Sequence, residues 1–178
     1  PWFRELAETT GQYERFVKDQ AAKRFNGATV QSWKTSDPHD QGAMWMETEL
    51  KIPTLTTQSG DRKSVPATYE PLWLSQRYAT ETRRTHALEL YFTWQRKSRV
   101  QIALDEGLKV ASLPENVELN EPFGKFTRKT TQEGQGIVVE ELFELTQQRI
   151  PVADYDSFRR FCNKVDSLID QKILLEAK

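Results

Sequence analysis

Two periodicities dominate the C-terminal third of the chain. Residues 123–131 and 137–148 are rich in Phe, Thr, Val and Ile and alternate at period two, the signature of strands with one buried face. Glu133-Gly134-Gln135-Gly136 between them supplies positive φ at low cost, so the pair is expected to form a β-hairpin with a loop longer than two residues. Ile137, Val139, Phe143 and Leu145 fall on one face, with Glu141 the exception among them. Pro151 lacks the N–H a ladder needs, so the strand should stop by Ile150. The period then changes. Phe158, Phe161, Cys162, Val165, Leu168 and Ile169 repeat at three-and-four spacing, one apolar stripe on an amphipathic helix. Arg159, Arg160, Asn163 and Lys164 fall largely on its other side, and Asp154 is placed to cap its first turn. Residues 173–175 either return as a short strand or extend the helix.

Upstream, residues 10–25 read as a helix with Tyr13, Phe16, Val17, Gln20, Ala21 and Arg24 on one face and Asn26-Gly27 as its stop. Residues 28–34 are extended and 36–42 form a breaker-rich loop. From 44 to 52 the chain alternates again. Met44, Met46, Thr48, Leu50 and Ile52 lie on one side, Trp45, Glu47, Glu49 and Lys51 on the other, and Pro53 ends the strand. Residues 54–64 suggest a loop or hairpin tip, and 65–74 an irregular crossing broken by Pro66 and Pro71. Residues 77–86 show no clean period. Residues 87–94 and 99–104 read as two strands joined by Gln95-Arg96-Lys97-Ser98, a second hairpin, followed by an extended run at 108–113. Many short strands between turn signals favour a β-rich (α+β) fold, an antiparallel β-sandwich with an amphipathic helix near each end. The expected organisation is one domain over 1–178, helical over 1–27, stranded over 28–150 and helical over 151–172, with a weak seam near 53–66.

Composition narrows the functional classes. Lys plus Arg number 25 against 26 Asp plus Glu, so no global charge draws the chain to nucleic acid or anionic lipid. No run reaches the roughly 18 apolar residues of a membrane-spanning helix. The chain opens at Pro1 and is read as a piece of a longer protein. A single Cys excludes an internal disulfide and a Cys-based zinc site.

The reactive residue types are few. Thiol catalysis needs a Cys activated by a nearby His, which leaves Cys162 with His86 or His39. Cys162 lies on the apolar helix stripe, where a free thiol acts as a small hydrophobe. Asp37, His39 and Asp40 share a loop but lack the second imidazole that would make a persuasive metal set. Glu47 with Glu49, and Glu140 with Glu144, are paired carboxylates of the kind glycosidases use. Alternating Glu on a solvated sheet face is the commoner origin of such pairs. Arg83, Arg84, Arg96, Lys97 and Arg99 interleave with Tyr91, Phe92 and Trp94, a single-strand nucleic-acid pattern that the balanced net charge argues against. Of the five Trp, Trp2, Trp33, Trp45, Trp73 and Trp94, Trp45 is the best candidate for an exposed sugar- or protein-binding face, although burial is the more usual fate of such a residue. The expectation is no catalytic, cofactor or metal residue in this chain.

Leu113-Pro114-Glu115-Asn116-Val117, Pro122-Phe123-Gly124-Lys125-Phe126 and Arg149-Ile150-Pro151, followed by Asp154-Tyr155, Phe158, Phe161, Val165 and Asp166, come in a telling order. Together with Phe25-Asn26-Gly27-Ala28 and Val30, and with Val100-Gln101-Ile102-Ala103-Leu104 and Gly107, they resemble the β-rich C-terminal region of bacterial proteins that pair a DUF3857-type domain with a transglutaminase-like core, a region labelled DUF3858. The resemblance runs from about residue 10 to 175. It implies that the core, with its Cys, His and Asp, precedes this chain, and no position here matches that catalytic motif. It further implies a non-catalytic accessory or interaction domain in the periplasm or cell envelope. The implied partners are its own transglutaminase-like core, another envelope protein or a cell-wall polymer. The alternative is a carbohydrate-binding β-sandwich that uses exposed Trp residues.

Overall fold

A computed structural model of the chain describes residues 10–36, 46–53 and 55–178. Where the sequence suggests one domain with a seam at 53–66, the chain forms two compact units, Pro1–Leu55 and Thr56–Lys178. The first holds helix α1 (Thr10–Arg24) and an antiparallel ribbon of β1 (Thr29–Thr35) and β2 (Met46–Lys51). Val17 and Ala21 are the buried part of the expected α1 face; the side chains of Tyr13 and Arg24 lie outside the described residues. Gly27 turns the chain from α1 into β1 at φ 74°, a left-handed conformation that glycine adopts without a Cβ clash.

The second unit contains β3 (Thr57–Ser59), β4 (Arg62–Pro66), α2 (Leu74–Tyr78), β5 (Leu88–Glu89), β6 (Trp94–Ala103), β7 (Leu108–Ser112), β8 (Val117–Glu121), β9 (Gly124–Glu133), β10 (Gly136–Leu145), β11 (Arg149–Ile150), α3 (Tyr155–Ile169) and β12 (Lys172–Ala177). All strand pairs are antiparallel. One sheet runs β6-β10-β9-β8, a second runs β3-β4-β12-β7, and β5 and β11 form a small ribbon. This is the expected β-rich sandwich-like architecture, and the sheets do not close into a barrel. Among the described residues no helix is long and apolar enough to cross a membrane.

The β9–β10 hairpin forms as its pattern requires, turning at Gly134 with φ 60°. Every odd position of β10 from Ile137 to Leu145 is buried. Gly124, where β9 begins, passes so close to β10 that an added Cβ would lie 2.1 Å from the Glu144 carbonyl oxygen, and only glycine fits. Helix α3 lays its stripe over one end of this sheet. Phe158 meets Phe123 edge-on at 5.5 Å between ring centroids, and Phe161 stacks on Phe143 at 6.3 Å. Phe158, Val165 and the inward Phe126 are fully buried, each stabilising by about 1.5–3 kcal/mol.

Glu141, the odd member of the apolar face, is explained by its neighbour across the ladder. Arg128 faces it in register, and both side chains are almost wholly buried. Arg128 donates from Nε and Nη2 to Glu141 Oε1 at 2.9 and 2.7 Å, and from Nη1 to Gln171 Oε1 at 2.9 Å. A second guanidinium, Arg96, stands 4.0 Å from Glu141 Oε2 and also donates to the Glu70 carbonyl.

Several local expectations are corrected. Residues 87–104 do not make a hairpin. Trp94 to Ala103 is one ten-residue strand, with only Leu88–Glu89 separate. Its polar centre, Gln95 to Ser98, reads as a turn but is a strand whose Gln95 and Lys97 face solvent while Arg96 serves the buried ion pair. Asp154 stands at the N-terminus of α3 but makes no side-chain capping bond. A 3-10 turn (Val152–Asp154) leads in, and Asp154 itself is already helical at φ −96°, ψ −9°. Residues 173–175 belong to β12, a central strand in which Ile173 and Leu175 are buried. The short helix α2 and the edge strand β8 are additions the pattern did not announce.

Removing one partner of the buried pair strands the other. Arg128→Met should cost about 3–5 kcal/mol in urea unfolding, whereas Arg128→Met with Glu141→Leu should recover most of that loss. A single variant within about 1 kcal/mol of the parent would contradict the assigned role.

Candidate functional site

The outward face of the β6-β10-β9-β8 sheet carries a shallow groove of about 850 Å³. Strand twist makes such a face concave, and the even positions of β10 supply its floor. Leu142 sits between Lys97 on β6 and Thr127 on β9, and Glu140 between Arg99 and Lys129. Asn116, Val117 and Glu118 close the β8 side. Asn116 holds that edge by accepting the Thr130 N–H at Oδ1, 2.6 Å away.

The groove's carboxylates are already engaged. Glu140 pairs with Arg99 at 3.4 Å. Glu118 accepts from Asn120 at 3.0 Å and pairs with Lys125 at 3.6 Å. The Asn120 hydrogen bond, followed by the Lys125 charge, holds the Glu118 carboxyl below its usual range. Farther along, Glu144 accepts from Gln95. Sequence reasoning named Glu140, Glu144, Lys97 and Arg99 but missed Leu142, Thr127 and Lys129. The available signal was Leu142 itself, a large apolar residue flanked by Glu140 and Glu144 on the same face of β10.

The other candidates scatter. Cys162 is buried on the α3 stripe, and its thiol is pushed up to about 12, by burial first and by the nearby Asp166 second. His86 is exposed, and no hydrogen bond joins it to Cys162. His39, Asp37, Asp40, Trp2 and Trp45 lie outside the described residues. Glu47 and Glu49 are exposed on β2, where Glu49 accepts from Ser32 at 2.9 Å. The basic and aromatic segment is divided between environments. Arg84 stacks over the Tyr155 ring at 5.4 Å, Trp94 tilts against Phe143 at 4.7 Å, and Tyr91 and Phe92 project into solvent. Trp33 is half-buried. Among the described residues no group of three or more His, Cys, Asp or Glu could hold a metal ion.

One further cluster organises α3 and the preceding crossing. Asp166 accepts from Leu74 N–H at 3.0 Å, Ser75 N–H at 2.8 Å and the Ser75 hydroxyl at 2.6 Å. The bonds hold the start of α2 against α3. Trp73 just before it occupies the left-handed region at φ 50°, unusual for a bulky residue, and leaves half its surface exposed. Three charge-assisted bonds offset a cost of order 1–3 kcal/mol at Trp73.

The model of a family described as a domain of unknown function with solved structure, DUF3858, matches residues 65–175. A crystal structure described as a "putative protease" from Parabacteroides distasonis ATCC 8503 is similar at 24% identity and a TM-score of 0.48, over 54% of this chain and 19% of that one. The chain therefore spans less than a fifth of that structure's length. No curated protein matches the sequence.

The thiol offers a direct check on the site's inventory. Cys162 should resist a disulfide reagent at pH 8 in the folded chain and react at once in urea. Because its folded pKa is raised, the unfolded state loses the proton first. Stability should therefore fall as pH rises from about 9 toward about 12, and Cys162→Ala should flatten that slope. Rapid labelling of the native thiol would show it to be accessible.

Proposed function

The chain belongs to the DUF3858 family, and from that premise we propose that it is a non-catalytic C-terminal accessory and interaction domain of a transglutaminase-like envelope protein. It positions the catalytic core, or binds a protein or cell-wall partner, in the periplasm or cell envelope. The observation that carries this reading is the division of labour between the two faces of one sheet. The inner face is consumed by packing and by the Arg128–Glu141 pair. The outer face keeps an open groove in which Leu142 is set among charged and polar side chains, the composition of a polar, reversible interface. The burial of Cys162 favours the same reading, since a nucleophile must be reachable.

The carbohydrate-binding alternative asks for several aromatic faces on one groove. The groove's described lining contains no aromatic residue, which favours the interaction reading. Among the described residues Trp73 is the exposed Trp on which a sugar-binding test would turn, and Trp45 lies outside them.

A photo-crosslinking residue at position 142 of the full-length protein should capture the transglutaminase-like core or one envelope protein several-fold more than the same residue at position 59, an exposed strand position. Equal crosslinking at both positions would overturn the reading. A Cys162→Ser variant of the full-length protein should keep whatever activity the core has.

A further inference from the structure

The rim charges of the groove do not cancel. Arg99 and Lys125 are engaged by Glu140 and Glu118. Lys97 and Lys129 are exposed and have no ion-pair partner among the described residues. They stand at diagonal corners of the floor. Lys97 lies beside Leu142 on one neighbouring strand, and Lys129 lies beside Glu140, two residues along, on the other. Two strand spacings and one two-residue step put their Cα atoms roughly 12 Å apart, with Leu142 between the two strands that carry them.

We propose that the groove binds an extended acidic protein segment in which two carboxylates, four residues apart, flank a central apolar side chain. The proposal rests on the interaction reading and names the partner's chemistry. In an extended chain, residues i, i+2 and i+4 point to one face and the outer two lie about 13 Å apart. That spacing sets one carboxylate on Lys97 and the other on Lys129, with the middle side chain over β10 midway between Leu142 and Glu140, within reach of the Leu142 side chain. Arg99 and Lys125 are already taken by Glu140 and Glu118, so among the described rim residues only Lys97 and Lys129 are left to receive a carboxylate. A continuous polyanion, whether glycan phosphate or nucleic acid, would place its central charges over Leu142 with no free cation to receive them; a segment with charge confined to its two ends does not. Exposed lysines contribute little each, so the fit is of the weak, salt-sensitive kind.

The test is fluorescence anisotropy with the whole 178-residue chain and a fluorescein-labelled peptide containing Glu-Ser-Leu-Ser-Glu. Binding should saturate and should weaken about tenfold in a Lys97→Glu/Lys129→Glu variant, equivalent to roughly 1.4 kcal/mol. Leu142→Ser should also weaken it, as should Gln in place of either peptide Glu. Both lysines are exposed, so an unchanged melting temperature certifies the double variant's fold. Absence of saturable binding, indifference to the double variant, or equal affinity for hexaglutamate would each overturn the proposal. If the peptide fails while position 142 still crosslinks selectively, the interaction reading stands and only the acidic-segment assignment falls. If both fail, both are wrong.

Discussion

The contact between Arg128 and Glu141 constrains everything around it. Two opposite charges are sealed inside a sheet face, each satisfied chiefly by the other, and the arrangement tolerates one register only. A slip of β10 by one residue against β9 would turn Glu141 to solvent, leave Arg128 buried without its carboxylate and bring Glu140 or Leu142 inward instead. The pair also marks a boundary on the inner face. Toward Leu145 the sheet is aromatic and receives α3; toward Ile137 it is aliphatic. Gln171, the Arg128 acceptor, stands between the end of α3 and the start of β12, so the helix and the second sheet are indexed to the same guanidinium. Such a pair contributes more to specificity of register than to net stability, since its desolvation offsets much of its attraction.

Much of the architecture was legible because one period held over many residues. The 123–148 hairpin and the 155–169 helix have unbroken alternation or unbroken three-and-four spacing, and each formed within a few residues of expectation. Strand β6 was misread because the residues at its centre serve tertiary partners. Arg96 and Ser98 are polar yet face inward, where Glu141 sits opposite Ser98 and the alternation signal vanishes. The same cause hid the helix α2. Its start is held by Asp166, 91 residues away from Ser75, and no local pattern carries that information. Asp154 failed as a side-chain cap because a 3-10 turn had already wound the backbone ahead of it.

The groove was harder still to read. Its residues come from four strands and adjoin only through cross-strand register. Glu140 and Glu144 looked like paired carboxylates, but each has a strand neighbour that engages it, Arg99 and Gln95 respectively. Cys162 was the opposite case. A single stripe on one helix predicts a buried thiol, and helix geometry alone delivers it. Sites inside one element are visible in sequence; sites assembled across a sheet become visible only once the pairing is known.

The central claim is that one sheet has a structural side and a contact side, with adjacent residues of β10 assigned to each. Hydroxyl-radical footprinting measures it residue by residue, comparing this chain alone with the full-length protein in cells. Phe143 should be protected in both. Leu142 should be oxidised in the isolated chain and shielded in the full-length protein. Leu142 oxidised equally in both would contradict the assignment of the outer face to a partner.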